Sequence, residues 1–486
     1  MRRFFCVLLA LAVPAAADEI ESLVREFAGV FAAIESLNAD PIDSQKAFYE
    51  GAIPGMLRGL DPHSVFLDPA QFDQLKQLQT STQKGFGSVV SVLPGRVIFL
   101  QTLPGTPSSR AGLAPGDELV SLNGYAIDRL EMEQLIALLG QSRQGSARLE
   151  VRRPGNARIL TFVMVPEQMQ SPPVERVFHL KEGVGYLRVS SFDEKTGPQI
   201  REGIEKLGGH SLKGLVLDLR NNPGGLVPAA LETASLFLQP GQSILTARGR
   251  RTGEHVEKVP EGNRPYTFPV AVLLNGRSAS ASEIVAGSLQ DHDRGVVVGE
   301  PSYGKGLVES VFPLSDNAGL ALTTSLYYTP SGRSIQKPLG KAFALSERAA
   351  QSGGEFRTAS GRRVRGGGGI EPDHIAFPRP HTRLSAFLDA SGAFTTFATQ
   401  YTQSHPGLDA SFQVTPQILD EFQVFLSQRN VRPGLGEWSH DREYIRNRLK
   451  TEIFNLAFGV EKGDEVEAER DPVILKALDA LAAPLQ

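Results

Sequence analysis

Apolar positions recur at helical spacing from Glu19 to Phe48 (Ile20, Leu23, Val24, Phe27, Val30, Phe31, Ile34, Leu37), which predicts a helical N-terminal segment. Residues 60–69, Leu-Asp-Pro-His-Ser-Val-Phe-Leu-Asp-Pro, read as turn chemistry between helices. From about residue 84 to residue 166 the texture changes to short β-like runs at 88–93, 97–100, 118–123, 147–152 and 159–165, interrupted by one helix at 130–139. From residue 183 to residue 326, apolar strands at 214–219, 270–274 and 296–298 alternate with helical patterns at 229–238 and 281–290. Such alternation predicts an α/β layer structure. Residues 346–369 are polar and end in four glycines, the mark of a surface insertion. From about Thr382 the chain is helical in texture. Its last helix is predicted to start at Asp471-Pro472, an N-cap followed by proline at the first helical position.

The first residues change the picture of where the chain works. Met1-Arg2-Arg3 precedes ten apolar residues, Phe4 to Val13, and then Pro14-Ala15-Ala16-Ala17-Asp18. A charged start, a short apolar stretch and a small-residue Ala-x-Ala site form the pattern of a secretory signal peptide. Ten apolar residues are too few to span a bilayer, which takes about 20. The expectation is cleavage after Ala17 and an exported, periplasmic product. The single cysteine, Cys6, lies in the discarded segment, so no disulfide framework or Cys-rich metal site is expected. Loss of Arg2 and Arg3 takes the net charge from −4 to −6, which leaves no basic field for nucleic acid, and nothing indicates a membrane surface as partner. A chain of 486 residues predicts two to four domains.

Three loops at strand ends carry candidate chemistry. Asn275-Gly276-Arg277-Ser278-Ala279-Ser280-Ala281-Ser282-Glu283 lies between an apolar strand and a helix, where a serine hydroxyl on a sharp turn sits beside the helix N-terminus. Ser280-x-x-Glu283 is also a capping box, and spacing alone does not choose among Ser278, Ser280 and Ser282. A nucleophilic serine needs a base about 3 Å away. His292, twelve residues beyond Ser280 on one predicted helix, is about 18 Å distant and reads as a solvated helix end. No His-x-x-x-His pair exists to hold zinc. Gly299-x-x-x-x-Gly304-Lys305 approaches a phosphate-binding loop, but Gly306 stands where Ser or Thr would hold magnesium and a strand follows instead of a helix. The loop leaves Lys305 Gly-flanked after an apolar strand, where a neutral lysine would serve as general base. The third loop, Asp218-Leu219-Arg220-Asn221-Asn222-Pro223-Gly224-Gly225, offers backbone N–H groups at Gly224 and Gly225 that would suit an oxyanion.

These motifs, with residues 60–69 and Tyr328-Thr329-Pro330-Ser331-Gly332-Arg333-Ser334-Ile335, resemble the C-terminal processing peptidases, the tail-specific serine proteases. Gly112-Leu113-x-x-Gly116-Asp117 and Leu122-Asn123-Gly124 resemble a PDZ domain. The resemblance covers roughly residues 20–377 in the family's order. It implies a multidomain α/β fold: a ClpP/crotonase-like α/β protease core at 169–377, with a β-rich PDZ domain at 83–168 inserted before it. Helical regions at 18–82 and 378–486 would flank these, after the signal peptide at 1–17. By the resemblance Ser280 is the nucleophile and Lys305 the general base, with oxyanion donors at Ala281 and in the Gly224-Gly225 pair. Gly85, Phe86, Gly87 and Ser88 resemble the loop that takes a substrate's terminal carboxylate. The family commonly has a glutamine that orients the lysine; here that position is Glu309. An ionised Glu309 beside Lys305 would favour the ammonium and oppose its work as a base. Glu309 therefore points elsewhere, is protonated, or leaves the resting enzyme partly latent. The implied partners are proteins or peptides with free C-termini, and a second copy or an adaptor at the helical termini; no metal, nucleotide or other cofactor is implied. The rival expectation is an idle protease fold that binds C-termini as a PDZ scaffold.

Overall fold

The computed structural model describes residues 14–79, 82–251, 253–340, 343 and 353–482. Residues 1–13 of the expected signal peptide and residues 346–352 of the expected insertion lie outside the described residues. Helix α1 (Pro14–Leu37) starts the described chain and spans the expected cleavage point. It stops at Leu37, short of the predicted Phe48, because Pro41 follows in Asn38-Ala39-Asp40-Pro41 and a proline disfavours helix in the residue before it. Helical turns resume at Ser44 and run to Arg58. Ile20, Leu23, Val24, Phe27, Val30 and Ile34 of α1 stay exposed.

Strand β1 (Val65–Leu67) comes next, inside the segment read as a turn. Three residues are too few to show alternation, and the pairing partner lies about 255 residues away, so local pattern could not find it. A β-rich unit follows: β2 (Ser88–Leu93), β3 (Arg96–Thr102), β4 (Glu118–Leu122), α2 (Met132–Ser142), β5 (Ala147–Arg152) and β6 (Ile159–Met164). Its antiparallel sheet has the order β2-β3-β4-β5-β6 around Val97, Phe99, Leu119, Leu135, Leu149 and Val151. A two-stranded ribbon, Thr82–Gly85 against Glu167–Gln170, closes its neck where the chain enters and leaves.

The central layer contains β7 (Val174–Lys181), β8 (Val184–Val189), α3 (Thr196–Lys206), β9 (Gly214–Asp218) and α4 (Val227–Ser235). The chain then makes β10 (Ser243–Gly249), β11 (Gly253–Lys258), β12 (Val270–Leu274), α5 (Ala281–Asp291), β13 (Gly295–Gly299), β14 (Leu307–Pro313), β15 (Gly319–Tyr328) and β16 (His374–Ile375). The main sheet runs β7-β8-β9-β12-β13-β16 and is parallel from β8 onward. Every residue of β9, β12 and β13 is buried, because helices cover both faces. Leu215 and Leu217 join the cluster that holds Ile200, Ile204, Phe237, Ile284 and Leu289 of the α3–α5 side. Val216, one residue out of phase, joins Val473, Ile474 and Ala477 on the other side.

A second sheet is organised on β15, which pairs with β14 along one edge and with β10 and β1 along the other. Among the described residues six helices follow: α6 (Arg383–Ala390), α7 (Ala393–Ser404), α8 (Pro416–Ser427), α9 (Leu435–Phe458), α10 (Val460–Ala468) and α11 (Pro472–Ala482). Phe394, Phe397, Phe422, Phe425, Ile445 and Leu449 form their core. They also hold the β-rich unit: Arg96 donates to Thr396 Oγ1 at 2.8 Å, and Val460 N–H donates to Gln101 Oε1 at 3.1 Å. Asp471 caps α11 by accepting from Val473 N–H at 2.8 Å. The described part of the Gly-rich insertion is a hairpin, Gly354–Arg357 with Arg363–Gly366, tied to the core by Arg362 on Asp293 and Asp373. Among the described residues no helix is long and apolar enough to cross a membrane.

Leu217→Ala, at the centre of the main sheet, is expected to cost about 2–5 kcal/mol of stability. Val163→Ala, on the exposed face of β6, is expected to change it by less than about 0.5 kcal/mol. Urea unfolding of both variants measures the difference, and equal losses would contradict the double-sided burial.

Candidate active site

The turn between β12 and α5 is fastened to the loop after β9 by its serines. Ser278 Oγ donates to Leu219 O at 2.8 Å and accepts from Asn275 N–H at 3.0 Å. Ser282 Oγ donates to Asn222 O at 3.0 Å, and Ala279 N–H donates to the same carbonyl at 3.0 Å. Asn221 and Asn275 exchange two further bonds, each 2.9 Å, between the same loops. Ser278 and Ser282 are thus fully buried and occupied with holding backbone. Ser280 differs. Its hydroxyl has no hydrogen-bond partner among the described residues, and its backbone sits at φ 53°, ψ −112°, a conformation that strains any residue with a Cβ. Structure therefore separates three serines that spacing could not.

What holds Ser280 in that conformation is Glu283. This carboxylate is fully buried and accepts four hydrogen bonds. Oε2 takes Ser280 N–H at 2.8 Å and Lys305 N–H at 2.9 Å, while Oε1 takes Gly304 N–H at 2.7 Å and the Ser302 hydroxyl. Burial pushes the Glu283 carboxyl above its ordinary range, and the four donors work against that rise. The helix-capping contact and the assembly of a site are here one interaction. Tyr327, buried beside it, donates to Ser280 O at 3.2 Å.

Lys305 reaches the same locality from the loop between β13 and β14. Its Nζ lies 3.1 Å from Glu309 Oε1, and both side chains are about three-quarters covered. Glu309 thus does not point elsewhere; it is turned to the lysine. His63 Nδ1 lies 3.9 Å from the same oxygen. Burial and the nearby Lys305 lower the His63 pKa from its usual 6.5, against weaker opposite effects of Glu309 and Asp61.

The Gly224-Gly225 segment runs against the serine turn. A Cβ on Gly224 would lie 2.8 Å from Ser280 Cβ, and one on Gly225 would lie 2.0 Å from Phe192 O, so only glycine fits at φ 103° and 144°. Gly224 N–H is taken by Asn222 Oδ1 at 2.9 Å. The N–H groups of Gly225 and Ala281 donate to no described residue. A free hydroxyl, two free amides and a lysine on a loop fixed to the same carboxylate are the parts of acyl-transfer chemistry.

Gly85, Phe86, Gly87 and Ser88 line a groove of about 760 Å³ between β2 and α2, and none of the residues of this cluster lines it. Phe86 O accepts from Ser108 N–H and Gly87 O from Leu103 N–H, both at 2.8 Å, which fixes the loop through its carbonyls. Val90, Ile136 and Leu139 line the groove with Arg143. His292, expected on the solvated side, is instead half-buried: its Nε2 lies 2.7 Å from Ser243 O and its Nδ1 3.2 Å from Gln242. The helix end packs against β10, a contact invisible from helical phase alone. Sequence reasoning missed His63 and Asn222, and gave Glu283 only a capping role. The Asp-Pro-His-Ser run was the one local signal for His63.

Comparison with known proteins gives these parts a context. Residues 183–341 match the family model of peptidase family S41, and residues 99–153 match that of a PDZ domain. A carboxy-terminal-processing protease of Bartonella bacilliformis is 35% identical over 321 residues, 64% of this chain and 72% of that protein. The chloroplastic carboxyl-terminal-processing peptidase 2 of Arabidopsis thaliana is 33% identical over 336 residues, 65% of this chain and 64% of that protein. The carboxy-terminal processing protease CtpB of Bacillus subtilis is 30% identical over 335 residues, 67% of this chain and 69% of that protein.

Glu283→Gln tests the hub. An amide presents one acceptor and one donor group to four donors, so about two charge-assisted bonds are lost, each worth roughly 1.5–3 kcal/mol. Cleavage of an unfolded protein is expected to fall about 100-fold or more in kcat/KM. Steady-state kinetics of the folded variant within about threefold of wild type would remove Glu283 from this role.

Proposed function

The chain belongs to peptidase family S41 and is a carboxy-terminal processing protease with a PDZ domain, a serine-type peptidase acting on proteins or peptides; from this premise we propose that Ser280 is its nucleophile and Lys305 its general base. The observation that carries the reading is the shared carboxylate. Glu283 Oε2 accepts from Ser280 N–H and from Lys305 N–H, so the two loops cannot move independently.

In this reading a substrate's terminal carboxylate is received at Gly85, Phe86, Gly87 and Ser88, and its last residues add as a strand to the free edge of β2. The scissile carbonyl is presented to Ser280. Ser280 Oγ attacks its carbon as neutral Lys305 Nζ takes the hydroxyl proton, and the amides of Ala281 and Gly225 receive the oxyanion. Collapse breaks the C–N bond, with the proton passing from Lys305 to the leaving amine. Water then attacks the acyl-enzyme as Lys305 accepts its proton, and the second collapse breaks the ester bond to Ser280 Oγ, which recovers the proton from Lys305 and frees the new C-terminus. Of the Gly224-Gly225 pair, Gly225 is assigned the oxyanion role because Asn222 already holds Gly224 N–H. The Lys305–Glu309 pair, with Nζ 3.1 Å from Oε1, supports reading the resting arrangement as partly latent.

Export rests on residues 1–17, and the enzyme is assigned to the periplasm on that basis. The exposed apolar stripe of α1 is assigned to a protein partner, a second copy or an adaptor, since a stripe of this length is seldom left to water.

Ser280→Ala and Lys305→Ala are each expected to lower cleavage of a denatured protein with an apolar C-terminal tail by about 1,000-fold or more. Equal cleavage by wild type and both variants would end the assignment. Glu309→Gln is expected to raise kcat/KM, and a loss comparable to that of Lys305→Ala would sink latency. N-terminal sequencing of the protein recovered from cells is expected to begin at Asp18; an intact Met1 would overturn the export reading.

A further inference from the structure

The segment before β1 places a histidine where the catalytic scheme has no use for one. Asp61, itself buried, accepts from His63 N–H at 2.8 Å, Ser64 N–H at 2.9 Å, the Ser64 hydroxyl at 2.7 Å and the Thr323 hydroxyl at 3.0 Å. Thr323 N–H returns a bond to Ser64 Oγ at 3.1 Å. The turn is thereby fixed to β15 at Thr323, and Thr323 is the cross-strand partner of Glu309 on β14. Strand register therefore delivers the His63 ring to Glu309. The charged and titratable groups facing it are Asp61 from its own turn, Lys305 from the loop before β14, and Glu309 from β14.

We propose that His63 is a positioning residue for Lys305, acting through Glu309. The proposal rests on the Ser280/Lys305 reading and extends it. Glu309 Oε1 stands between Lys305 Nζ at 3.1 Å and His63 Nδ1 at 3.9 Å. At 3.9 Å, beyond hydrogen-bond length, an imidazole carrying its proton on Nδ1 would turn the positive end of that N–H dipole toward the same carboxylate that pairs with Lys305. Each share taken by the imidazole loosens the hold on Lys305 Nζ, the nitrogen that must take the Ser280 proton. A glutamate would otherwise be a poor neighbour for a lysine base; His63 is the group that makes it workable. The surroundings keep the ring neutral, as the role requires: burial and Lys305 both oppose its protonation.

The test reads kcat and KM against pH on an unfolded protein substrate, with the full chain. His63→Ala is expected to lower kcat about 10-fold near neutral pH with KM unchanged, and to move the rising limb of the kcat profile up by about one pH unit. His63→Asn, whose amide N–H stands near the Nδ1 position, is expected to restore most of the loss, whereas His63→Gln is not. In a Glu309→Gln background His63→Ala is expected to leave the limb where it is. The same shift in both backgrounds, a change in KM alone, or an unmoved limb would each overturn the proposal. If His63→Ala does not fold, His63→Asn against His63→Gln carries the same comparison. Ser280→Ala is the control that separates the two claims. Cleavage by that variant removes the dyad itself, whereas a dead Ser280→Ala beside an unaltered His63→Ala removes only the role of His63.

Discussion

A single buried carboxylate sets the geometry on which the site depends. Taking an isolated carboxylate out of water costs several kcal/mol, a cost that only well-placed donors offset. Glu283 has four, and three of them are backbone N–H groups of Ser280, Gly304 and Lys305. Backbone donors cannot rotate away as side chains do, so satisfying the carboxylate fixes two loops from different parts of the chain relative to each other. The strain at Ser280, of order 1–3 kcal/mol for such a backbone, is retained because releasing it would strand a buried charge.

The loops are close enough to share a carboxylate because of the sheet beneath them. β9, β12 and β13 are adjacent, parallel and in register, with Asp218 opposite Leu273 and Leu274 opposite Gly299. Their carboxyl ends therefore release the loops 219–225, 275–280 and 300–306 along one edge, the usual place for a site in a parallel sheet. Rigidity comes from burial on both faces, to which the last helix contributes. Arg220 binds Asp218 and also Asp471, the cap of α11, so the C-terminal helix is clamped to the strand end that leads into the Gly224-Gly225 segment.

That double burial also explains which elements were legible in the sequence. Runs such as Val270–Leu274 are apolar at every position and bounded by Pro269 and Asn275, so they announce themselves. The serine turn, the Pro-Gly-Gly loop and the Gly-Lys-Gly loop were legible for the same reason, each standing at the end of such a run. β1 was not, since its pairing with β15 is set by contacts across the chain and not by its own three residues. The choice among Ser278, Ser280 and Ser282 was hidden because it depends on which hydroxyls find carbonyls in a loop some 60 residues earlier. Glu283 shows a subtler limit. Its capping role is local and readable, whereas its bonds to Gly304 and Lys305 are long-range and leave no mark at spacing three.

The Lys305–Glu309 pair makes the same point about chemistry. From sequence, an acid near a lysine base is a contradiction, and the natural escape is to turn Glu309 away. The second sheet closes that escape: β14 pairs with β15, which sets Glu309 opposite Thr323, and the Glu309 carboxylate lies 3.1 Å from Lys305 Nζ and 3.9 Å from His63 Nδ1. The N-terminal side reaches the surroundings of the pair through Asp61, Ser64 and β1, all bonded to the strand that faces Glu309. A displacement of the N-terminal segment would therefore reach the Lys305–Glu309 pair without breaking any hydrogen bond that Glu283 accepts. Glu283 fixes where the lysine loop sits, and β15 fixes what surrounds the lysine's nitrogen. The position of the Lys305 loop and the surroundings of its nitrogen are thus held by two separate parts of the fold, the second of them bonded to the N-terminal segment.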